Sequence, residues 1–207
     1  MTNNSNTKIT AVTIGIGDPY FLYAQKACKE VEKFLNIETK IIDEQYLNYC
    51  VGSHYQESIW SLKFSIFDIF SDIDTVMYFD VDWRPLKEFN ILDYCSDPDK
   101  IYFTVDRPDL PFIQNLEIQY NLKPGTYVNA GWFVINKKNK TLLNYCRDNL
   151  CNINRSFYGD QCVINQVLKD KITLVDKKLN NDDLEKISEE ETLGLHNKDL
   201  NWKFYNV

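Results

Sequence analysis

The residues best suited to chemistry are two carboxylates, Asp80 and Asp82, set one residue apart at the end of an apolar run, and a late imidazole, His196. The run Val76-Met77-Tyr78-Phe79 is made of strand formers, and Pro85 stops further pairing just beyond it. Side chains two apart on an extended segment point the same way, so Asp80 and Asp82 can share one cation. Two carboxylates and an imidazole suit a borderline-hard divalent ion such as Mn²⁺, with Mg²⁺ as the alternative, and a metal bound this way usually meets substrate phosphates. A strand that runs into a polar loop also yields an Asp-x-Asp triplet by chance, and a lone histidine is more often structural than ligating. His54, the other histidine, sits in a stretch of ambiguous pattern and reads as a surface or helix-start residue.

In an open α/β sheet, side chains emitted past the carboxyl ends of the strands face the ligand crevice, and the surrounding pattern supplies such a sheet. Lys8 to Ile16 alternates and is β-branched, which predicts the first strand. Asp18-Pro19 then offers an N-cap acid and a first-position proline before Phe21, Ala24, Ala27, Val31 and Phe34 at helical spacing. Lys40 to Ile42 predicts a short second strand, Tyr46 to Gln56 is ambiguous, and Ile59, Leu62, Ile66 and Ile69 argue a helix from Ser58 into the Val76–Phe79 strand. Ile91 to Cys95 reads as a helical turn, Ile101 to Val105 as a strand ending at Asp106, and Pro108 and Pro111 as a loop. After the Pro124-Gly125 turn, Tyr127 to Ile135 is strand-like but interrupted by Asn129, Ala130 and Gly131, which suggests close approach of a ligand or another backbone. One helix follows around Leu142, Leu143 and Cys146; Asp160 reads as the cap of another carrying Val163, Ile164, Val167 and Leu168. Ile172 to Val175 is a last strand, and Asn180 to Glu191 reads as a solvated acidic stretch. Strands alternating with helices predict an α/β fold, a single domain with a mostly parallel central sheet flanked by helices.

With 207 residues, 44% of them apolar, the chain can bury one full core; residues 1–7 read as a tail, and the domain as one that can stand in a longer protein. A net charge of −7 opposes the counterion release that drives nucleic-acid binding and excludes anionic membranes as partners. The first residues lack the apolar core of a signal peptide, and no window is long enough to span a bilayer, so the expectation is a soluble, cytoplasmic protein without membrane insertion. Six cysteines without any C-x-x-C pair argue against a zinc site and for reduced, mostly buried thiols.

Gly15-Ile-Gly17 begins like a dinucleotide fingerprint, but Tyr20 stands at the third glycine; no Walker lysine-serine pair and no G-x-S-x-G elbow exists. Taken in order, other landmarks resemble a known family. Tyr78-Phe79-Asp80-Val81-Asp82 is similar to the Asp-x-Asp motif of GT-A-fold nucleotide-sugar glycosyltransferases, in particular the retaining group of glycogenin, the bacterial lipopolysaccharide galactosyltransferases and the plant xylosyltransferases. Lys63 falls where that group carries a basic residue on the preceding helix. Val128-Asn129-Ala130-Gly131 resembles its Phe-Asn-Ala-Gly strand, Gly159-Asp160-Gln161-Cys162 its Asp-Gln-Asp helix start, and His196 its C-terminal histidine motif. The departures are Cys162 in place of an acid and a degraded terminal motif, His196-Asn-Lys-Asp-Leu-Asn-Trp-Lys203. The short form resembles the small glycosyltransferases of chlorella viruses, which would put it in the host cytoplasm.

The resemblance implies a UDP-sugar-dependent, hexosyltransferase-type enzyme that moves a sugar, from UDP-glucose or another UDP-hexose or deoxyhexose, to a glycan or other hydroxyl acceptor with retention of configuration. Asp80, Asp82 and His196 would hold Mn²⁺, and Lys198 or Lys203 would meet the diphosphate. Gly15, Gly17, Asp18 and Tyr20 would form the uridine pocket, although helix capping explains Asp18-Pro19 equally well. Asp106, Asn129, Asp160 and Gln161 would line the sugar and acceptor side. A sugar-nucleotide pyrophosphorylase lacks support, since its glycine-rich loop and basic residues are missing after the first strand; a non-catalytic nucleotide-sugar or glycan-binding module remains the reading from another class.

Overall fold

The computed structural model describes residues 8–51, 55–150, 159–184 and 187–197, the side chains of 55–58 excepted. The chain begins with β1 (Ile9–Ile14), α1 (Tyr20–Leu35) and β2 (Glu38–Ile42). A 3₁₀ turn over Glu44–Tyr49 leads to α2 (Tyr55–Phe64), α3 (Ile66–Ile69) and β3 (Thr75–Phe79). The short β4 (Trp83–Pro85) follows, then β5 (Ile101–Val105), α4 (Pro111–Gln119), β6 (Val128–Asn136), α5 (Lys140–Asn149), α6 (Gly159–Val167), β7 (Ile172–Val175) and β8 (Gly194–His196).

Six strands form one sheet in the order β2-β1-β3-β6-β5-β7, and β4 pairs with β8 in a separate two-stranded ladder. Pairs β1·β2, β1·β3 and β5·β7 are parallel, while β6 runs antiparallel to both β3 and β5. That one reversal decides the architecture of the site. A parallel neighbour would bring its carboxyl end beside the end of β3; the reversed β6 brings its beginning, so Asn129, Ala130 and Gly131 lie where β3 and β5 finish. The register runs Phe79 against Trp132, and the next amide, of Asp80, donates to the Gly131 carbonyl at 2.8 Å.

Alternation on the strands sends side chains to two cores. Val76 and Tyr78 join Phe103 and Phe133 under Leu62, Phe67, Leu143 and Ile164 on one face. Met77 and Phe79 join Trp132 and Val134 under Ala27, Val31 and Trp83 on the other. Fully burying side chains of this size stabilises the fold by about 1.5–3 kcal/mol each.

Three local readings of the sequence are corrected. Helix α1 starts at Tyr20 with Pro19 in the cap position and no side-chain cap, because backbone and Glu44 hold the turn: the Gly17 amide donates to Glu44 Oε1 at 2.6 Å and the Gly17 carbonyl accepts from Phe21. Gly17 has φ +75°, a conformation that costs glycine nothing. Pro108–Pro111 is not all loop: Pro111 opens α4, a position where a missing N–H is harmless, and Ile113, Leu116 and Tyr120 pack with Tyr127 and Cys162. The acidic stretch from Asn180 is not simply solvated, since Asn180 and Asn181 are fully buried. Lys198, Lys203 and His54 lie outside the described residues. Among those described, five cysteines are free thiols, and no helix is long and apolar enough to cross a membrane.

Candidate functional site

Asp80 and Asp82 leave β3 in a tight turn closed by the Trp83 amide on the Asp80 carbonyl at 2.8 Å. Trp83 then enters β4, where it stands opposite His196 of β8. This pairing delivers the imidazole to the carboxylates: His196 Nε2 is 3.1 Å from Asp82 Oδ1 and 4.0 Å from Asp80 Oδ2. One donor atom from each of the three residues lies within 4.8 Å of the others. The buried Trp83 ring fixes the ladder through its Nε1, which donates to the Leu179 carbonyl at 3.0 Å.

Several details fit this cluster to a cation. His196 Nδ1 is buried and has no hydrogen-bond partner among the described residues. Burial alone would lower the His196 pKa, yet the Asp82 and then the Asp80 carboxylates outweigh it and raise it to about 9, as negative charge beside an imidazole does. Gly131 leaves the space open, because a Cβ there would lie 2.2 Å from His196 Cε1 and 2.9 Å from Asp80 Oδ2. Tyr78, two residues before Asp80 on the same strand face, donates its hydroxyl to Asp80 Oδ1 at 2.6 Å; burial and Asp80 keep it a neutral phenol.

The cluster opens onto a cleft of about 420 Å³ lined by Ile14, Ile16 and Tyr20 after β1, by Asp80, Val81 and Asp82 after β3, and by Trp60, Lys63 and Asp160 from α2 and α6. Lys63 is buried, and its ammonium donates to the Ala130 carbonyl at 3.0 Å and to Asp160 Oδ2 at 2.5 Å, with Asp80 Oδ1 at 3.5 Å. Burial opposes its charge, but Asp160 and Asp80 outweigh burial and hold its pKa above the ordinary value. The reading of Asp160 as a helix cap is corrected here: it is the second residue of α6, and its carboxylate turns to Lys63.

Of the other expected site residues, only Tyr20 reaches the cleft from the first turn. Gly15 serves packing, since a Cβ there would meet Ala24 Cβ at 2.6 Å, and Asp18 is exposed. Asp106, Asn129 and Gln161 are buried in a polar network that backs the cleft. Gln161 Nε2 donates to Asp106 Oδ2 at 2.7 Å, and its Oε1 accepts from the Ala130 amide at 3.0 Å. Asn129 Oδ1 accepts from the Gly131 amide at 2.8 Å and from Asn180 Nδ2 at 3.1 Å. Burial and then Asp182 push the Asp106 carboxyl up. Cys162, two residues after Asp160, faces the other side of α6, 3.3 Å from the Tyr127 hydroxyl. Sequence reasoning missed Tyr78, Trp60 and Asn180. Strand alternation could have found Tyr78 and helical spacing from Lys63 could have found Trp60; nothing local marks Asn180.

A six-stranded sheet with helices on both faces, carrying an Asp-x-Asp turn and a late histidine at the carboxyl end of its interior strand β3, defines a GT-A-type glycosyltransferase scaffold. The sequence profile of glycosyl transferase family 8 matches residues 18–186, and the chain belongs to that family. No curated protein sequence matches it. Among solved structures it is similar to the apo form of the bifunctional glycosyltransferase WbbM, with TM-score 0.69 and 13% identity over 95% of this chain, which spans 46% of WbbM. It is also similar to a glycosyltransferase involved in glycosylation of the PBCV-1 major capsid, with TM-score 0.66 and 13% identity over 96% of this chain and 98% of that one. The galactosyltransferase LgtC in complex with donor and acceptor sugar analogs gives TM-score 0.61 and 16% identity over 91% and 87%. At these identities the structures bear on the fold alone.

Proposed function

We propose that the chain transfers a sugar from a UDP-sugar to a hydroxyl of a glycan or other acceptor, with a divalent ion, Mn²⁺ or in its place Mg²⁺, held by Asp80, Asp82 and His196. The convergence of these three donor atoms within 4.8 Å, two of them on carboxylates that line the cleft, carries the reading. When bound, the ion would supply Lewis-acid stabilisation of the charge that develops on the diphosphate as it leaves.

The chain's own groups do the rest. Tyr78 holds the Asp80 carboxylate in one orientation through its hydroxyl. Lys63 keeps a fixed positive charge beside Asp80 and Asp160 in a place with little water, where it counts for more than in solvent. Tyr20, partly exposed at the β1 end, is available for stacking on the uracil, and Lys198 or Lys203 would add charge at the diphosphate. The acceptor would approach from the side backed by Asp106, Asn129 and Gln161. Retention by a double displacement needs a free nucleophile on the far face of the sugar. Asp160 is paired with Lys63 and Gln161 is tied at both ends of its amide, so the structure supports front-side attack, with the leaving phosphate taking the acceptor proton.

Family membership supports transfer over pyrophosphorolysis. Cys162 is buried away from the cleft, so its departure from the family pattern does not weigh in favour of a binding-only module. The test is incubation with Mn²⁺ and a panel of UDP-sugars, with and without glycan acceptors, scoring UDP release. Binding without any release would favour the module, and the anomeric configuration of the product by NMR decides retention.

A further inference from the structure

Trp60 stands apart from the other tryptophans of the described residues. Trp83 and Trp132 are fully buried in the core, whereas Trp60 lines the cleft with Lys63 and Asp160. Its place is built from two elements. On α2 it lies three residues before Lys63, on the same face. On α6, Gly159 immediately precedes Asp160 and gives up its side chain to the indole: a Cβ at 159 would sit 2.0 Å from Trp60 Cζ3 and 2.4 Å from Cε3. The six-membered ring therefore rests on the start of α6, at the end of the cleft that also holds the Lys63–Asp160 pair.

Sheet order sets the sequence of chemistry along the cleft. β1 contributes Ile14 and the neighbouring Ile16 and Tyr20, β3 leads into Asp80 and Asp82, and the Trp60, Lys63 and Asp160 group lies on the β6 side. An apolar and aromatic end, a metal-binding middle and a mixed end with an indole and a carboxylate match a base, a diphosphate and a sugar in that order. A pyranose has hydroxyls at its edge and a patch of C–H groups on its face; a carboxylate suits the first and an aromatic surface the second.

We propose that Trp60 is the surface on which the apolar face of the transferred sugar rests, and that its ring limits the bulk of the sugar this cleft accepts. The inference rests on the donor reading above. A cleft of about 420 Å³ is near the small end for ligand sites, which run from about 300 to 1,000 Å³, so an N-acyl substituent on the sugar competes with the indole for space.

The test compares Mn²⁺-dependent binding of UDP, UDP-hexoses and UDP-N-acetylhexosamines by calorimetry to the wild type, Trp60→Ala, Trp60→Leu and Trp60→Phe. Losing the aromatic surface should weaken the best UDP-hexose about tenfold while UDP alone changes less than twofold. The disadvantage of the N-acetyl sugars should shrink in Trp60→Ala, and Trp60→Phe should keep most of the hexose affinity. If Trp60→Ala does not fold, Trp60→Leu, which still fills the space over Gly159, carries the same expected tenfold loss. Equal losses for UDP and UDP-hexose, or an unchanged hexose affinity, overturn the proposal. A wild-type chain that binds no UDP with Mn²⁺ overturns the donor reading itself, and this inference with it.

Discussion

Gly131 and His196 share a volume that admits only one side chain: a Cβ on residue 131 would lie 2.2 Å from His196 Cε1, although 65 positions separate the two in the chain. The atom in the way is the tip of a side chain rather than backbone, so Gly131→Ala can fold if the imidazole moves out. The expected result is loss of the thermal stabilisation that Mn²⁺ and UDP together give, with little change in the melting temperature of the metal-free protein. Full retention of the Mn²⁺-dependent shift would mean that His196 does not hold the ion.

Asp82→Asn should remove the same Mn²⁺-dependent stabilisation by UDP, because a carboxamide is a weak ligand for a hard cation. The metal-free protein should remain folded, since Asp82 is partly exposed, with its Oδ1 3.1 Å from His196 Nε2. His196→Ala is the companion variant, with weakened rather than abolished metal affinity. A normal response of Asp82→Asn to Mn²⁺ and UDP would dismiss the cluster as a metal site.

Lys63→Met addresses the buried charge. Removing the ammonium leaves Asp160 buried without its partner, which should cost about 3–5 kcal/mol in urea denaturation. The double variant Lys63→Met with Asp160→Asn should recover much of that loss, as both charges then leave together. A single-variant loss near that of an exposed pair, about 0–1 kcal/mol, would contradict the burial described for this pair.

A pH-dependent contribution is expected away from the cleft, at Asp68. Its carboxylate joins α3 to α5, 2.5 Å from Lys140 and 2.7 Å from Arg147. Burial raises the Asp68 pKa, but hydrogen bonds from Lys140 and Arg147 outweigh it and hold the carboxyl below 3.8. A depressed folded pKa means that the stabilisation is complete above the unfolded value and disappears as pH falls through the folded one. Asp68→Asn should therefore be less stable than the wild type at pH 7, and the two denaturation midpoints should converge below about pH 4. A gap that persists undiminished at pH 3 would rule out this origin.

Much of the frame could be read locally. Alternation marked β1, and short runs of strand formers marked β3, β5 and β7, because the signal lies within four to six residues; the acids after Phe79 followed from where the β3 run ends. Asn180 was illegible because its partners, Thr104 and Asn129, lie 76 and 51 positions away, so nothing near it marks burial. Asp160 invited the wrong local role, since an acid at a helix start usually caps, and only Lys63, 97 residues earlier, explains its direction. Cys162 counted against function in the sequence. In three dimensions the helix turns it away from Asp160 into the Tyr127 cluster, where an acid would be the misfit.

The β4·β8 ladder carries a consequence for when the protein becomes competent. Its second strand enters so late that Asp82 waits 114 residues for His196. A chain emerging from the ribosome can lay down β1 through β3, and with them both carboxylates, long before the imidazole exists. Until residue 196 has been made and β8 has paired beside Trp83, the growing polypeptide has two members of the three-residue cluster. Premature termination upstream of that point yields a product with most of the sheet but without the imidazole, so the ladder ties assembly of the three-residue cluster to synthesis of residue 196.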